Sequence, residues 1–533
     1  MKRLARVNIG YSDYRYRPEV RRCLHQLQAT TTETYVKWID IEPERNQVTF
    51  GRFDRELDFC KRYGVKWQPF LICGPWYATP YWYRESKKSH FFRCLEHDKN
   101  SGIQSIWNDD FKEPTRHFLK LFHDHFKPRE NEIDSLLLGV SGDYGEAIYP
   151  CIGNFEGQYH THRGLWCNDE RAILAFRRHF QSKFKTIAKL NARWHSSYSS
   201  FAEVRPFLKK NAPSRRAMVD QVYWYRAAML EHAEFWVKEA RKLWKTKDIY
   251  LCMGGDGSAE EGQHYTAAAK ICAKYKVGIR DTNSRDHFRF LNTYQSPTAV
   301  ATNYYGTYVG FETSSGSKPA FIVARMFTFI IMGAREYHEY GYTFFNKPKA
   351  IRNFQRFRKW LEIPFQRKVD VAILSSEAYI NWFDEHATKW DVKDFEWGMP
   401  KEPHRLFDKL RYHFDFDLIN DSLIRNGILS CYKVLIVPGF TFIEADTIRL
   451  IKKAAKAGIK VVVYGQNKLE TVDEKPLQLA GTQNIPALPA LIETLTKLRI
   501  PAKRKKDGIF EAQEKGGRTL CYDENKATIY WKK

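Results

Sequence analysis

Short apolar runs alternate with longer amphipathic stretches over the first two thirds of the chain. Eight of these runs have the length of β-strands, and several are almost continuously apolar, as expected of parallel strands covered on both faces. They are residues 4–10, 33–40, 65–72, 133–141, 248–255, 277–283, 307–313 and 334–342. Apolar residues recur at helical spacing at 54–63, 113–126, 169–185, 218–244 and 319–331. Strands that alternate with helices in this way predict a (β/α)8 TIM barrel with insertions.

A second α/β pattern begins near residue 366. The segment "KVDVAILSS" predicts a buried strand, and residues 432–465 predict a strand, a helix and a strand, which together make a βαβ unit. The tail "RTLCYDENKATIYWKK" has the pattern of a hairpin. The sequence therefore predicts a TIM-barrel catalytic domain over residues 1–365. A smaller, open α/β domain of the flavodoxin-like type is expected over residues 366–533, ending in a β-hairpin.

The chain is strongly basic. Its 86 Lys and Arg against 62 Asp and Glu give a formal net charge of +24, which favours acidic partners. The basic residues are spread along the chain, without the basic stripes and interleaved aromatics of nucleic-acid binding, so we expect no nucleic-acid partner. The charge lies either on solvated helix faces or partly at the barrel mouth, where it would favour an anionic glycan. The arginines near the strand ends are Arg15, Arg17, Arg163, Arg280 and Arg285.

Cysteine usage and hydropathy indicate the compartment. The ten cysteines are scattered and include no CxxC pair, and a chain of 533 residues does not need disulfides, so reduced thiols are expected. The N-terminus "MKRLARVNIGYSDY" lacks the apolar core of a signal peptide. No apolar run approaches the ~18 residues of a membrane span. We therefore expect a cytoplasmic protein with no membrane partner.

Acidic residues stand at the ends of the predicted barrel strands, where TIM barrels form their active sites. Glu146 follows the fourth strand and Glu312 ends the seventh, and these strands face each other across an eight-stranded barrel. Glycoside cleavage needs two carboxyl groups, one that protonates the leaving oxygen and one that attacks or activates water. We predict that Glu146 and Glu312 are this pair. The alternatives are a turn residue for Glu146 and a strand-end ion pair for Glu312, with Glu336 and Glu339 as rival carboxylates.

Other side chains near the strand ends are candidates for contacts with a sugar. The predicted substrate-binding residues are Asp13, Trp76, Trp82, Asp143, Asp256, Asn283 and Tyr305. Asp281 is a further candidate, and loop capping or plain packing is the alternative for all of them. The other aromatics expected around the glutamates are Tyr144, Tyr149, Tyr304, Tyr308 and Phe311. His338 is expected to be a hydrogen-bonded barrel residue and not a catalyst.

Residues 35–82 resemble the second and third strands of clan A glycoside hydrolases, especially the family 42 β-galactosidases. The matching positions are Trp38, Glu42, Pro43, Phe50, Asp54, Pro80, Tyr81 and Trp82. Residues 167–184 are similar to the helix that follows the acid/base glutamate in that family. Residues from 368 onward resemble its glutamine-amidotransferase-like trimerisation domain. The resemblance covers most of the chain.

This resemblance implies a retaining, exo-acting, β-galactosidase-like enzyme with Glu146 as acid/base and Glu312 as nucleophile. It also implies a homo-oligomer, with a trimer as the expected form. One departure is Gly145, where clan A usually has an Asn that holds the sugar 2-hydroxyl; Asp143 or Asn283 could replace that contact. The expected partner is an oligosaccharide or glycoside, neutral or anionic, and no cofactor is expected.

Family 42 enzymes often carry a structural zinc held by cysteines. The possible ligands in this chain are Cys94, Cys151 and Cys167, with His160 or His162. Their spacing is unlike that of a compact zinc site, so we expect no metal.

Two other functions remain open from the sequence. The stretch "GEAIYP" resembles the region around the general acid of β-amylases, which invert the anomeric centre. In that case Glu146 stays the acid and Glu312 becomes the base. The other alternative is a non-catalytic barrel that binds carbohydrate or nucleic acid, for which the net charge is the main support.

Overall fold

The computed structural model describes residues 6–10, 17–151, 159–255, 257–284, 288–313, 319–382, 395–396, 399–465, 468–479, 482–501 and 508–532. The first ten strands are β1 (Arg6–Gly10), β2 (Thr31–Lys37), β3 (Lys66–Ile72), β4 (Phe91–Arg93), β5 (Asn100–Gln104), β6 (Ser135–Gly139), β7 (Asp248–Gly254), β8 (Gly278–Ser284), β9 (Val309–Thr313) and β10 (Glu336–Tyr340). The helices among and just after them are α1 (Arg17–Gln26), α2 (Trp38–Ile41), α3 (Gly51–Arg62), α4 (Tyr81–Arg84), α5 (Lys112–Phe126), α6 (Glu170–Phe184), α7 (Ile187–Trp194), α8 (Arg215–Leu243), α9 (Tyr265–Tyr275), α10 (Phe288–Tyr305), α11 (Pro319–Met332) and α12 (Pro348–Phe357).

Eight of these strands close a parallel barrel. Their order around it is β1-β10-β9-β8-β7-β6-β3-β2, and each overlaps one of the eight strands predicted from apolar runs. The five predicted helices correspond to α3, α5, α6, α8 and α11. The TIM-barrel prediction is therefore confirmed. The strands β4 and β5 form a separate antiparallel hairpin in the connection after β3, which the sequence pattern did not reveal.

Part of the barrel interior is polar. Because strand residues alternate between the two faces of the sheet, Asn8, Gln68 and Glu336 point inward at one level. Gln68 Nε2 donates to Glu336 Oε2 at 2.6 Å, and the Asn8 amide bonds to Gln68. One level lower, at the N-terminal ends of the strands, Arg6 pairs with Asp134. Apolar residues dominate the other face of the strands, where the helices pack.

The second α/β unit contains the remaining elements. Its strands are β11 (Val371–Leu374), β12 (Phe395–Glu396), β13 (Met399–Pro400), β14 (Asp417–Ile419), β15 (Val434–Pro438), β16 (Phe442–Ile443), β17 (Lys460–Tyr464), β18 (Glu470–Thr471), β19 (Gln483–Ile485), β20 (Ile509–Gln513), β21 (Thr519–Asp523) and β22 (Thr528–Trp531). Its helices are α13 (Glu377–Trp382), α14 (Lys401–Arg411), α15 (Asp421–Arg425), α16 (Ala445–Lys456) and α17 (Leu488–Lys497).

The main sheet of this unit has five parallel strands in the order β14-β11-β15-β17-β19. Counted along the chain, that order is 2-1-3-4-5, the flavodoxin-like arrangement. The smaller open α/β fold predicted from the sequence is therefore present. The expected C-terminal hairpin is formed by β21 and β22, and β20 extends it to a three-stranded antiparallel sheet.

The barrel and the second unit contact each other through helix α8. Arg216 near its N-terminus makes two parallel hydrogen bonds of 2.8 Å to the carboxylate of Glu444. The predicted domain boundary, between residues 365 and 366, falls in the connection between α12 and β11. Among the described residues, no helix is long and apolar enough to cross a membrane.

Candidate active site

Glu146 lies in the loop after β6, the fourth strand of the barrel. Gly145 has a φ of +101°, a left-handed value that favours glycine, and it allows the tight turn directly before the glutamate. The backbone N–H of Ala147 donates to the carbonyl of Cys252 at 2.9 Å, which fastens the loop to β7. A Cβ on Gly254, the last residue of β7, would lie 2.9 Å from Glu146 Cγ. The glycine therefore leaves the space that the glutamate side chain occupies.

The Glu146 carboxyl is held in a setting that favours its protonated form. Its side chain is buried, and Oε2 makes no hydrogen bond with any described residue. Burial raises the pKa of Glu146 to about 8, and the charges of Glu312 and Asp143 contribute to the rise. Near neutral pH the group is therefore an acid with a proton to give.

Glu312, on β9, receives two hydrogen bonds and lies beside one cation. Thr282 Oγ1 donates to Oε2 at 2.9 Å, and the Tyr340 hydroxyl donates to Oε1 at 2.6 Å. Arg280 Nε lies 3.3 Å from Oε2. Hydrogen bonds and a positive charge favour the ionised form of a carboxyl group. The two glutamates thus differ in their surroundings: Oε2 of Glu146 has no donor among the described residues, whereas Glu312 has two donors and a neighbouring cation.

A buried charge cluster lies directly beneath Glu312. The Arg280 guanidinium is fully buried, pairs with Glu33 and lies 3.3 Å from Glu336 Oε1. Burial raises the pKa of Glu33 to about 7, although Arg280 opposes the rise, and burial raises the pKa of Glu336 as well. The Arg280 cation therefore lies beside three carboxyl groups. When Glu33 is protonated near neutral pH, it no longer neutralises Arg280, and the positive charge of Arg280 acts more strongly on Glu312.

His338 lies in the same buried cluster as Glu33. The sequence predicted a hydrogen-bonded residue at this position, and the structure corrects that prediction. Its ring nitrogens make no hydrogen bond with the described residues, and Nε2 lies 3.6 Å from Glu33 Oε1. Glu33, Glu312 and His338 bring one ligand atom each within 4.8 Å of one another, a spacing that a metal ion could use. The Arg280 charge beside Glu312 opposes a second cation there. We therefore assign no metal to this cluster.

The two rival carboxylates have other partners. Glu336 accepts from Gln68 one level deeper in the barrel. Glu339 points outward, because it alternates with Glu336 and His338 along β10. Its two carboxylate oxygens receive hydrogen bonds of 2.9 and 3.0 Å from Arg325 of α11. Glu339 is thus a structural ion-pair residue.

Most of the aromatics expected around the glutamates lie elsewhere. Tyr305 ends α10, which returns from the mouth toward the start of β9, so it lies near the N-terminal end of the barrel. The hydroxyl of Tyr308, three residues later, bonds to Ile249 at the start of β7. The prediction that Tyr305 contacts substrate is therefore wrong, and Tyr304 and Tyr308 share its position.

Two further aromatics also turn away from the pair. Phe311 packs on the outer face of β9, and Tyr149 stacks on Tyr225 with ring centroids 3.7 Å apart. The aromatic side chains beside Glu312 are instead Tyr340 and Tyr35, and the charges of both Glu312 and Glu146 add to burial in raising the pKa of Tyr35. Tyr340 and Thr282 were not among the residues predicted from the sequence; a strict inside–outside alternation along β8 and β10 would have indicated them.

The two predicted tryptophans, Trp76 and Trp82, differ in exposure and in packing. Trp76 is 36% exposed, and its ring stacks on the Arg84 guanidinium, whose Cζ lies 4.0 Å from the ring centroid. Its predicted role as a sugar platform stays a prediction. Trp82 packs edge-on against Trp38 and donates from Nε1 to the Glu42 carbonyl at 3.2 Å. Trp82 therefore has a packing role, which was the alternative to sugar binding considered from the sequence.

The aspartates and the asparagine that were predicted to contact the substrate have different positions in the structure. Asp143 is buried beside the acid and accepts a hydrogen bond of 3.1 Å from Thr161. Asp281 faces outward and accepts from Thr298 of α10, which removes it from the site. Asp13, Asp256 and the side chain of Asn283 lie outside the described residues.

A second group of polar residues forms a candidate metal site beside the active-site loop. It consists of Cys94 and His97, in the turn of the β4–β5 hairpin, and His160 and His162, in the long segment after β6. Cys94 Sγ lies 3.5 Å from His160 Nε2, and His97 Nδ1 lies 3.2 Å from Nε2 of both other histidines. The cysteines considered from the sequence do not all take part: Cys151 bonds to the Glu260 carbonyl. Cys167 is likewise outside the cluster.

The geometry of this cluster is close to that of a Zn²⁺ site, with Cys94 Sγ and His97 Nδ1 somewhat farther apart, at 3.9 Å. Zinc bonds of ~2.0–2.1 Å to nitrogen and ~2.3 Å to sulfur place tetrahedral ligand atoms roughly 3.3–3.6 Å apart. The Nδ1 atom of His162 lies 2.7 Å from the Arg163 carbonyl, to which its N–H donates, so Nε2 keeps its lone pair for a metal. Burial opposes ionisation of Cys94, but hydrogen bonds from His162 and the backbone bring its thiol pKa below the usual value. We therefore assign Cys94, His97, His160 and His162 as the residues that would hold a structural zinc.

A family model for glycoside hydrolase family 42, described as Beta-galactosidase, matches residues 15–253, which contain the loop with Glu146. Over this segment the chain resembles the family 42 glycoside hydrolases.

Solved structures agree with this family 42 resemblance at the level of fold. The β-galactosidase of the psychrophilic Marinomonas ef1 has a TM-score of 0.70 at 11% identity, covering 97% of this chain and 95% of that one. The family 42 exo-carrageenase of Bacteroides ovatus has a TM-score of 0.68 at 11% identity, covering 97% of this chain and 75% of that one. The second α/β unit thus has counterparts in whole-length relatives.

A curated relative of another activity also matches. The thermophilic beta-amylase of Thermoanaerobacterium thermosulfurigenes is 22% identical over 188 residues, which are 33% of this chain and 34% of that protein. The chain therefore spans about a third of the curated relative it matches.

Proposed function

We propose that the chain is a retaining, exo-acting β-glycosidase with β-galactosides as substrates, Glu146 as acid/base and Glu312 as nucleophile. The observation that carries the proposal is the contrast between the two carboxyl groups. Glu146 is buried with a pKa raised to about 8, whereas Glu312 receives hydrogen bonds from Thr282 and Tyr340 beside Arg280. Carboxyl groups whose environments push them toward opposite ionisation states are what glycoside cleavage requires.

The reaction then runs in two displacements. Glu146 protonates the glycosidic oxygen as the bond to the anomeric carbon breaks, and the Glu312 carboxylate attacks that carbon to form a glycosyl-enzyme. Glu146, now ionised, takes a proton from water, and the water attacks the anomeric carbon and releases Glu312. The donors on Glu312 hold its carboxylate for attack and receive it again as a leaving group. Arg280 supplies the fixed positive charge behind it.

The substrate contacts around this pair remain part of the proposal. Trp76 is proposed as an exposed stacking surface, and Asp143 as a contact beside the acid. Asp13, Asp256 and Asn283 are proposed from their place at the strand ends. Gly145 leaves the sugar 2-hydroxyl without the amide that clan A usually supplies, so Asn283 is the proposed replacement.

A second candidate is an inverting, β-amylase-like hydrolase. The match to the thermophilic beta-amylase supports it, as does the "GEAIYP" stretch around Glu146. In this case Glu146 protonates the leaving oxygen while Glu312 activates a water. The separation of the carboxyl groups distinguishes the two cases, at about 5–5.5 Å in retaining enzymes and about 6.5–9.5 Å in inverting ones.

The stereochemistry of the product tests the assignment. Hydrolysis of an aryl β-galactoside, followed by NMR in its first minutes, should give the β-anomer of galactose; initial release of the α-anomer would show inversion. Maltooligosaccharides serve as the parallel substrate for the amylase alternative. Azide should rescue Glu146→Ala with formation of β-galactosyl azide and Glu312→Ala with formation of the α-azide. Exchange of these two products would reverse the assigned roles.

The second α/β unit is proposed to mediate self-association. Its flavodoxin-like sheet resembles the trimerisation domain of family 42, and we propose a homotrimer.

A further inference from the structure

The candidate metal site and the active-site loop meet at one side chain. Thr161 stands between two of the metal ligands, His160 and His162. Its hydroxyl lies 3.1 Å from Asp143 Oδ1 and 3.0 Å from the Pro150 carbonyl. Asp143 is itself fully buried, three residues before Glu146. A residue that the metal ligands fix on both sides therefore bonds directly to the loop that carries the acid.

The other half of the cluster comes from a different part of the chain. Cys94 and His97 belong to the β4–β5 hairpin, which follows the third barrel strand. The hairpin is anchored in turn to the barrel, because the N–H of Gln104 donates to the Gly74 carbonyl at 3.1 Å. Tyr159 packs on the hairpin so closely that a Cβ on Gly102 would lie 2.6 Å from its ring. An ion bound by all four ligands would cross-link the segment after Glu146 to this anchored hairpin.

We propose that a zinc ion bound by Cys94, His97, His160 and His162 fixes Thr161 against Asp143 and so positions the loop that carries Glu146. The role of Glu146 in this statement rests on the proposed function. The contact that leads from the ligands toward Glu146 is the hydrogen bond of Thr161 to Asp143, three residues before the glutamate. Thr161 is therefore a positioning residue, and the ion acts through it.

A bound ion would stabilise this loop because the loop is long. The chain between Ile148 and the start of α6 is long and has no strand of its own among its described residues. Ordering a segment of this kind costs conformational entropy, and a metal bond network offsets that cost because the site forms only in the folded state. With the ion bound, the hydrogen bond from Thr161 to Asp143 keeps its geometry. Without it, the segment is held by weaker single contacts.

The metal itself is tested first, on the purified full-length chain. Plasma mass spectrometry should find about one zinc per chain after loading, and His160→Ala and His162→Ala should each lower that content. His25→Ala is the matched control, since His25 is exposed on α1 and outside the cluster. Cobalt in place of zinc should give the intense visible bands of a tetrahedral site with a thiolate-to-metal absorption that Cys94→Ser removes. A loaded chain without bound zinc would overturn the proposal.

The positioning role is tested by hydrogen exchange of the peptide over residues 142–148. Removal of zinc with a chelator should raise its exchange rate several-fold, and reloading should restore it. Thr161→Val should raise the rate in the same way while the zinc content stays at one per chain, and Thr161→Ser should restore protection. If exchange of this peptide is unchanged by metal removal or by Thr161→Val, the ion does not position the loop.

Activity provides the second readout. We expect Thr161→Val to lower kcat more than it raises KM, by about tenfold to a hundredfold, because a small displacement of a catalytic group is costly. Thr161→Ser should lie within about twofold of wild type. Equal kcat in the Val variant and wild type would overturn the positioning role. If instead Glu146→Gln retains full activity, the proposed function fails, and the exchange and metal measurements still decide the zinc and Thr161 assignments.

Discussion

At the scale of single residues, the two central glutamates owe their difference to their neighbours. Glu146 is buried, its Oε2 receives no hydrogen bond from the described residues, and burial without a donor favours the neutral acid. Glu312 is equally buried, yet Thr282, Tyr340 and Arg280 stabilise its charge. Burial alone would make both groups neutral. The donors, which come from β8 and β10, therefore create the asymmetry on which the proposed chemistry depends.

Glu312→Gln should abolish turnover while the fold stays intact. The amide cannot attack the anomeric carbon, so we expect kcat to fall on the order of 10³–10⁵-fold, with an unchanged circular dichroism spectrum. Glu339→Gln is the matched control, because Glu339 is equally buried but pairs with Arg325 outside the barrel. That variant should lose ~3 kcal/mol of stability and keep its activity. The opposite pattern would identify Glu339 as the catalytic group.

The pH profile reports on Glu146. The acid form is required in the first displacement, so kcat/KM should fall as the pH rises through about 8, the raised pKa of this group. Glu146→Gln should lack that limb. The raised pKa also means that the folded state loses stability as the pH rises from about 4.5 to about 8, because the unfolded chain releases the proton first. Thermal melts of Glu146→Gln should therefore show a weaker decline over this range; a parallel decline would place the ionisation elsewhere.

At the scale of elements, the barrel positions its site through strand alternation and through glycines at strand ends. Along β10, inward residues join the polar column and outward residues such as Glu339 pack against α11. At the end of β7, Gly254 leaves room for the side chain of the neighbouring loop's glutamate. A single methyl group at that position would therefore act on catalysis and not on the barrel strand itself.

Gly254→Ala should reduce kcat by about 10²-fold, since its Cβ would lie 2.9 Å from Glu146 Cγ and displace the acid. Gly51→Ala is the control: a Cβ there meets its nearest neighbour, Arg55, only at 3.6 Å, an ordinary contact. Both variants should melt within a few degrees of wild type. Full activity of Gly254→Ala would show that the glutamate does not need its observed position.

Sequence alone predicted the strands well and the site unevenly, for a physical reason. Apolar runs and strand ends are local properties, so the eight strands, and the positions of Glu146 and Glu312 at strand ends, could be predicted from them. The position of Tyr305 depends on the direction in which α10 runs, which a strand-end rule ignores. The cluster of His97 with His160 depends on a hairpin that folds back to the segment after β6, and no local spacing contains that information.

At the scale of the whole molecule, the second α/β unit needs a role beyond the barrel's chemistry. It contacts the barrel at α8, and one face of its sheet has a separate hydrophobic core. The other face, with Leu374 and Leu435, belongs to the cluster that includes the barrel core. Closed symmetric assembly is the usual outcome when such a unit associates with copies of itself. The unit therefore makes the oligomeric state a property that can be predicted.

Light scattering at micromolar concentration should give a mass near three times the chain mass of 62.9 kDa. The mass should stay constant over a tenfold dilution, as expected of a large, stable interface. A mass equal to one chain would remove self-association, and a mass of two or four chains would retain it with a different symmetry.

The net charge of +24 is the other whole-molecule property, and its place on the surface decides what it does to the substrate. The described arginines nearest the strand ends are not free to bind an anion: Arg163 pairs with Glu261, and Arg280 serves three carboxyl groups below the site. Arg15, Arg285 and the side chain of Arg17 lie outside the described residues.

We expect neutral galactosides to be preferred, with little dependence on salt. Field lines focus on an anionic substrate only where unpaired positive charge lines the mouth, and the paired arginines supply none. The measurement is kcat/KM for a neutral and a sulfated form of one galactose disaccharide at about 20 mM and about 500 mM salt, a range over which screening of exposed charges becomes strong. The neutral form should change less than about twofold. A sulfated form that is preferred at low salt and loses its preference at high salt would contradict this and would assign the basic charge to substrate capture.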